Sequence, residues 1–261
     1  MSVCHQSPEI LLKELGISNP EDIDVEAIAF YCGAEVRYRM LTGCAARIIG
    51  TDDRAIITVD NETSSWPRQR FSIGHELGHW MRDRGKSAHL CQNKDLTAVW
   101  GHRQDPESRA NQYAADLLLP AFMFLPRAAE QEMVFQTVRA LADEFQTSLT
   151  ATAIRLVEKG SFPAMLICYG PEGRRWFSRG SDVPYEIWPP KQLNHETAAF
   201  EVLFGGKEQR KPVEVDADAW VEHRDAYRYT VFEDSVKISD DAILTLIWWK
   251  DESQLIDLNH Y

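Results

Sequence analysis

The chain has 261 residues, of which 44% are apolar and 26% charged, with a formal net charge of −12. That length holds one large domain or two modest ones, and the composition is that of an ordinary globular protein. The acidic balance argues against direct nucleic-acid binding, which needs a basic footprint, and no stretch approaches the ~18 consecutive apolar residues of a membrane span.

The first residues lack the basic-then-apolar layout of a secretory signal. Cys4, Cys32, Cys44, Cys91 and Cys168 are odd in number, widely spaced and without a CxxC pair. Reduced thiols and a cytoplasmic location are the expectation.

In chain order, two short helices come first. Pro8 to Leu15 ends at Gly16, and a second helix follows Asp24, a good N-cap, and closes at Gly33. Three strands follow: Ala34–Arg39 alternates, Ala45–Ile49 is short and apolar, and Arg54–Val59 is β-branched, with a turn at Gly50-Thr-Asp-Asp53. The expectation is a small antiparallel sheet. The strand Arg54–Val59 is expected at its edge, where an extended substrate could add as a further strand.

A long helix then starts near Ser64-Ser65-Trp66-Pro67 and runs to about Asp83. It contains His75-Glu76-Leu-Gly-His79. Residues four apart on a helix share a face, so His75 and His79 can present two imidazoles to one metal ion. Glu76 is rotated by about 100° and is placed to act as a general base toward water. Two nitrogen ligands, one base and an open position form the layout of a zinc hydrolase helix. Gly74 and Gly78 lie on one face beside the histidines, although glycine costs roughly 1 kcal/mol inside a helix. Another element must therefore approach that face closely.

Residues 84–106 are polar and irregular and contain His89, Cys91 and His102. A thiolate at Cys91 could fill a further coordination position and silence the site, against the plainer reading of a loop cysteine. His102 could help position substrate or simply face solvent. The next helix begins at Pro106, carries an apolar stripe of Ala110, Tyr113, Ala114, Leu117 and Leu118, and stops at Pro120. Catalytic zinc takes three protein ligands, often two His and one Glu. Glu107, 28 residues past His79, is the best candidate for the third. Its position alone also fits a first-turn carboxylate stabilised by the helix dipole.

Arg68-Gln-Arg-Phe-Ser-Ile-Gly-His-Glu-Leu-Gly-His79, followed by Glu107-x-x-Ala-Asn-x-Tyr-Ala-Ala-x-Leu-Leu-Leu-Pro120, resembles the ImmA/IrrE family of metallopeptidases. The resemblance covers roughly residues 20–160. It implies a gluzincin-like domain with His75, His79 and Glu107 as metal ligands and Glu76 as catalytic base. Zinc is the implied ion and manganese the alternative. The implied substrate is a cytoplasmic protein, typically a helix-turn-helix repressor of phage, mobile-element, toxin–antitoxin or stress genes, whose cleavage relieves repression. Two departures stand out: the family usually has Ala at the position of Gly74, and Trp80-Met-Arg-Asp-Arg-Gly85 replaces an apolar-His continuation.

Residues 121–160 read as helical, and Thr137–Phe145, Gln-Thr-Ser148 and the following helix have a helix-turn-helix pattern. From Arg127 to Gly160 the segment is net acidic, so scaffold or protein docking is favoured over DNA reading. Beyond Phe162 strands dominate. Pro163–Tyr169 and Arg174–Ser178 flank Gly-Pro-Glu-Gly173 as a hairpin, followed by Thr197–Phe204, Val213–Val215, Trp220, Tyr227–Phe232 and Ala242–Trp249. The aromatic residues of this part read mainly as core, with a partner- or ligand-binding face as the alternative.

The expected architecture is α+β. A zincin-like metallopeptidase domain occupies 1–125, a helix-turn-helix-like segment 126–160, and a strand-rich C-terminal domain 161–261, sensory or partner-binding in role. The expected function is a zinc metallo-endopeptidase. Its rivals are a DNA-binding regulator and a partner-sequestering protein, both keeping the peptidase fold as scaffold.

Overall fold

A computed structural model describes residues 6–62, 65–83, 89–90, 105–129 and 131–259. The chain is mixed α+β and divides into two compact units, Met1–Pro126 with Ala142–Ser148, and Arg127–Leu141 with Leu149–Tyr261. Among the described residues no helix is long and apolar enough to cross a membrane.

The first unit opens with α1 (Pro8–Glu14) and α2 (Val25–Tyr31). Asp24 caps α2 as its residue type dictates, with Oδ1 accepting from the amides of Glu26 and Ala27 at 3.0 Å each. Gly33 then turns the chain at φ +85°, a conformation that glycine alone adopts without strain. Strands β1 (Ala34–Arg39), β2 (Ala46–Gly50), β3 (Ala55–Asp60) and β4 (His89–Leu90) form one sheet in the order β1-β3-β2-β4.

This sheet is mixed, where an antiparallel one was expected. β2 and β3 form an antiparallel hairpin, but β1 lies on the far side of β3 and runs parallel to it. The tight turn at 51–54 pairs β2 with β3 directly, and β1 then takes the open side of β3. β3 is consequently central and paired on both sides, so it cannot serve as the substrate-accepting edge. Its Ile57 and Val59, with Ala46 and Ile48 of β2, alternate onto one buried face, and helix α3 (Trp66–Asp83) packs on both strands.

Helix α4 (Pro106–Leu118) packs along α3 and against α1. It buries the predicted stripe of Ala110, Tyr113, Ala114, Leu117 and Leu118 and ends before Pro120. Glu9 of α1 then caps α5 (Ala121–Ala128), its carboxylate accepting from the Ala121 amide at 2.7 Å.

Helices α6 (Phe135–Phe145) and α7 (Leu149–Lys159) bracket Gln146, whose φ of 53° is the sole positive value among the described non-glycine residues. The helix-turn-helix-like segment is divided between the compact units, with 142–148 in the first and 149 onward in the second. On α7, Thr152 and Arg155 are buried together with Ala153, Leu156 and Val157.

The second unit is built on the antiparallel sheet β6-β5-β9-β8-β7, from β5 (Ala164–Gly170), β6 (Gly173–Arg179), β7 (Val213–Asp216), β8 (Thr230–Ser239) and β9 (Ala242–Trp248). The expected hairpin is β5–β6, turned at Gly173 with φ +117°. Helix α7 packs on β5 and β6, and α8 (Ala198–Leu203) on β8 and β9.

The apolar run Thr197–Phe204, expected as a strand, is α8 instead. Thr197 Oγ1 caps it by accepting from the Phe200 amide at 3.2 Å. The run is short enough for either assignment by pattern, and the cap with the Ala pair at 198–199 decides it. Tyr227 lies in a short 3-10 turn, Ala226–Arg228, and strand begins only at Thr230. A last helix, α9 (Ser253–Asn259), had no clear sequence signal. Trp220, Trp248 and Trp249 are buried in or beside the sheet, whereas Trp188 is partly exposed.

Candidate metal centre

Helix α3 is fixed before it reaches the histidines. Arg70, in its second turn, is buried and donates to the carbonyls of Phe145 at 2.6 Å, Gln146 at 3.0 Å and Ile23 at 2.8 Å. Three backbone acceptors satisfy a buried guanidinium that burial alone would disfavour, and the nearby Asp24 supports its charge.

The two glycines explain how the second helix comes close. A Cβ at Gly78 would lie 3.0 Å from Tyr113 Cβ and 3.1 Å from Ala110 Cα, and one at Gly74 would lie 3.2 Å from Ala114 Cβ. Helix α4 thus rests directly on the glycine face of α3. The close approach predicted from the sequence is that of a helix, and it carries Glu107 to the histidines.

His75 and His79 are 1% and 2% exposed. Their Nε2 atoms are 3.1 Å apart. Glu107 Oε2 lies 3.1 Å from His75 Nε2, and Glu107 Oε1 lies 3.3 Å from His79 Nε2. Contact with His75, then His79, holds the Glu107 carboxyl well below the usual carboxylate range against the opposing effect of burial. Four-coordinate zinc, with bonds of about 2.0–2.1 Å, keeps its donors about 3.3 Å apart. The observed separations are of that size. The two imidazole nitrogens and the Glu107 carboxylate converge on one place, so His75, His79 and Glu107 could hold a metal ion.

Helix α4 contributes a second side chain one turn beyond Glu107. Asn111 Oδ1 lies 2.8 Å from His75 Nδ1. An amide oxygen only accepts, so the ring nitrogen facing it donates. Glu76, next to His75 on α3, is fully buried.

The family model Peptidase_M78, described as the IrrE N-terminal-like domain, matches residues 29–157. This stretch is an IrrE N-terminal-like domain. Its fold is that of zincin-like metallopeptidases, and its family implies a metal cofactor. A solved Mycobacterium tuberculosis transcriptional regulator is similar across 95% of this chain and 76% of its own, with a TM-score of 0.58 and 13% identity. At that identity the likeness is one of fold. No curated protein matches the chain.

Within the IrrE N-terminal-like domain, the structure brings together the three residues expected as ligands. Cys91 and His102 lie outside the described residues, and of His89 only the backbone, paired in β4 with Ile48, is described. Tyr113 packs in the α4 stripe over Gly78, and burial pushes its hydroxyl pKa up. Two residues near the site escaped the sequence reading. Asn111 was visible only as part of a motif, although its spacing of four from Glu107 places both on one helical face. Cys44 is close enough for the Glu76 and Asp60 carboxylates to add to the burial that raises its thiol pKa, with Arg47 opposing. No local pattern links it to α3.

Proposed function

We propose that the chain is a zinc-dependent endopeptidase that cleaves a protein, specifically a helix-turn-helix transcriptional repressor, and so relieves repression. The observation that carries this reading is the His75–His79–Glu107 triangle, with separations of 3.1–3.3 Å between donor atoms, beside the buried carboxylate of Glu76. These three residues would hold zinc, or manganese as the alternative. A divalent ion bound there supplies Lewis acidity, polarising the scissile carbonyl and lowering the pKa of water toward neutrality.

The remaining steps fall to the chain's own groups. Glu76 follows His75 by one residue, about 100° round the helix, so its carboxylate flanks the donor triangle without joining it. From there it takes a proton from the attacking water and delivers it to the nitrogen of the leaving amine. Glu107 stays anionic and balances part of the ion's charge. Burial of α3 keeps the base fixed while the proton moves.

The choice of a repressor as substrate rests on the family resemblance. The transcriptional regulator of similar fold is compatible with a role in gene control. Co-expression with a repressor encoded beside this chain's gene tests the whole reading. Loss of full-length repressor with the wild type but not with Glu76→Ala supports it, and a repressor left intact by both under every stress applied overturns it. The DNA-reading rival gains nothing from α7, where Arg155 is 3% exposed and therefore unable to meet phosphates.

A further inference from the structure

We propose that Asn111 is the positioning residue of this centre, locking His75 as the Nδ1–H tautomer and doing so without adding charge. The inference rests on the reading of His75, His79 and Glu107 as a metal site and assigns a residue that the ligand set does not include. His75 has two ring nitrogens, and in the neutral imidazole only one carries the proton. With Asn111 Oδ1 at 2.8 Å, that proton sits on Nδ1. The lone pair is then on Nε2, the atom that faces His79 Nε2 and Glu107 Oε2, each at 3.1 Å. The opposite tautomer would aim an N–H at the point where an ion must bind.

One helix supplies both halves of this arrangement. Glu107 and Asn111 are four apart on α4 and so lie one turn apart on the same face. The register of α4 against α3 is set beside them, where Ala110 and Tyr113 fill the hollow left by Gly78. A single helix contact therefore places a ligand and the partner that orients another ligand.

The choice of an amide has its own consequence. A metal-bound histidine is commonly backed by a carboxylate or a carbonyl oxygen, which raises the ligand's basicity. A carboxylate here would add a second negative charge to that of Glu107 and offset the full charge of a divalent ion. Asn111 orients the ring with the same geometry but leaves the centre with one net positive charge. That favours polarisation of a neutral carbonyl.

Zinc titration of the purified full chain against a competing chelator, with the wild type, Asn111→Leu, Asn111→Asp and His75→Ala, tests the proposal. Asn111→Leu should bind zinc roughly 10–100-fold more weakly, the range for loss of a partner behind a metal ligand. Asn111→Asp, which keeps an acceptor in place, should match the wild type or bind more tightly. Nitrogen-15 spectra of the histidines should show a single Nδ1–H tautomer at His75 in the wild type and a mixture in Asn111→Leu. Circular dichroism of the zinc-free proteins checks folding, and if Asn111→Leu fails to fold, the Asn111→Asp affinity and the wild-type tautomer decide. Equal zinc affinity in the wild type and a folded Asn111→Leu overturns the role of Asn111 while the metal centre stands. A wild type that binds zinc no better than His75→Ala removes the centre itself and this inference with it.

Discussion

Each compact unit draws carboxylates against its interior, wholly buried at Glu233 and partly at Glu107, and the two surround them differently. In the second unit Glu233 is 0% exposed and is surrounded by donors: the Ala198 amide at 2.6 Å and the Trp220 indole N–H. Its neighbour Asp234 accepts from the Phe135 amide at 2.6 Å. In the first unit Glu107 meets the Nε2 atoms of two buried histidines, and one of those rings is already committed through its other nitrogen to Asn111. Donors around an acceptor describe a finished structural contact. Two imidazole nitrogens and a carboxylate converging on one place describe a group that could hold a cation. Burial alone does not separate the two cases, and the set of partner atoms does.

The strongest way to break this comparison is at Glu76. If the first unit is the catalytic one, Glu76→Gln should lower peptide cleavage by about 10²–10⁴-fold, the usual share of a general base, while zinc affinity stays near that of the wild type. Cleavage rate and chelator-competition affinity, measured on the same preparation, check both halves. An equal fall in both would make Glu76 a structural residue and place it with Glu233.

Next in size is the helix contact that creates the convergence. A side chain at Gly78 meets Ala110 Cα and Tyr113 Cβ at 3.0–3.1 Å, and backbone cannot rotate aside. Gly78→Val should cost about 1–3 kcal/mol through overpacking and should also weaken zinc binding, because it moves Glu107 and Asn111 together. Urea denaturation with and without zinc separates the two effects. A variant that loses stability yet binds zinc normally would show that the register of α4 does not set the site.

How far the sequence foretold this division depends on the range of the interactions. His75, Glu76 and His79 are local, within five residues of one helix, and their spacing is enough to suggest a metal-binding group. The paired glycines announced a close neighbour, and Glu107 could be proposed because its own helix had an Ala-rich face. Asn111 needed the orientation of a ring across two helices, which no spacing reveals. The parallel pairing of β1 with β3 was missed because three short strands in a row suggest a meander, and the crossover depends on which edge of β3 is open. The run 197–204 was read by apolar content, but its Thr cap and its docking on Glu233 make it a helix. Glu233 is 35 residues from Ala198, and a cap from that distance leaves no trace in the local pattern.

That cap gives the corresponding test in the second unit. Glu233→Gln keeps the shape but replaces one carboxylate oxygen with an N–H, which cannot accept from either Ala198 or Trp220. One buried donor loses its partner, at about 1–3 kcal/mol. Faster hydrogen exchange at the α8 and β8 amides, with zinc affinity unchanged, is the expected result. Loss of zinc binding instead would mean that the two units are not separable in function.

The smallest effect expected is one of pH, and it too belongs to the second unit. Cys168 lies within β5, buried between its neighbours in β6 and β9. Burial pushes its thiol from 9.0 up to about 11, with Arg175 opposing and Asp241 adding. The folded state therefore holds a proton that the unfolded chain releases. Its contribution to stability is complete below about pH 9, where both states are protonated, and is lost as pH rises toward about 11. Cys168→Ala should destabilise at neutral pH by removing a packed side chain, yet show a shallower fall in stability across that window. Adjacent Tyr169 is also raised by burial, but it is present in both proteins, so the difference between their pH curves isolates the thiol. Parallel curves would mean that Cys168 ionises in the folded sheet as readily as in the open chain, and that β5 is less closed to water than its packing shows.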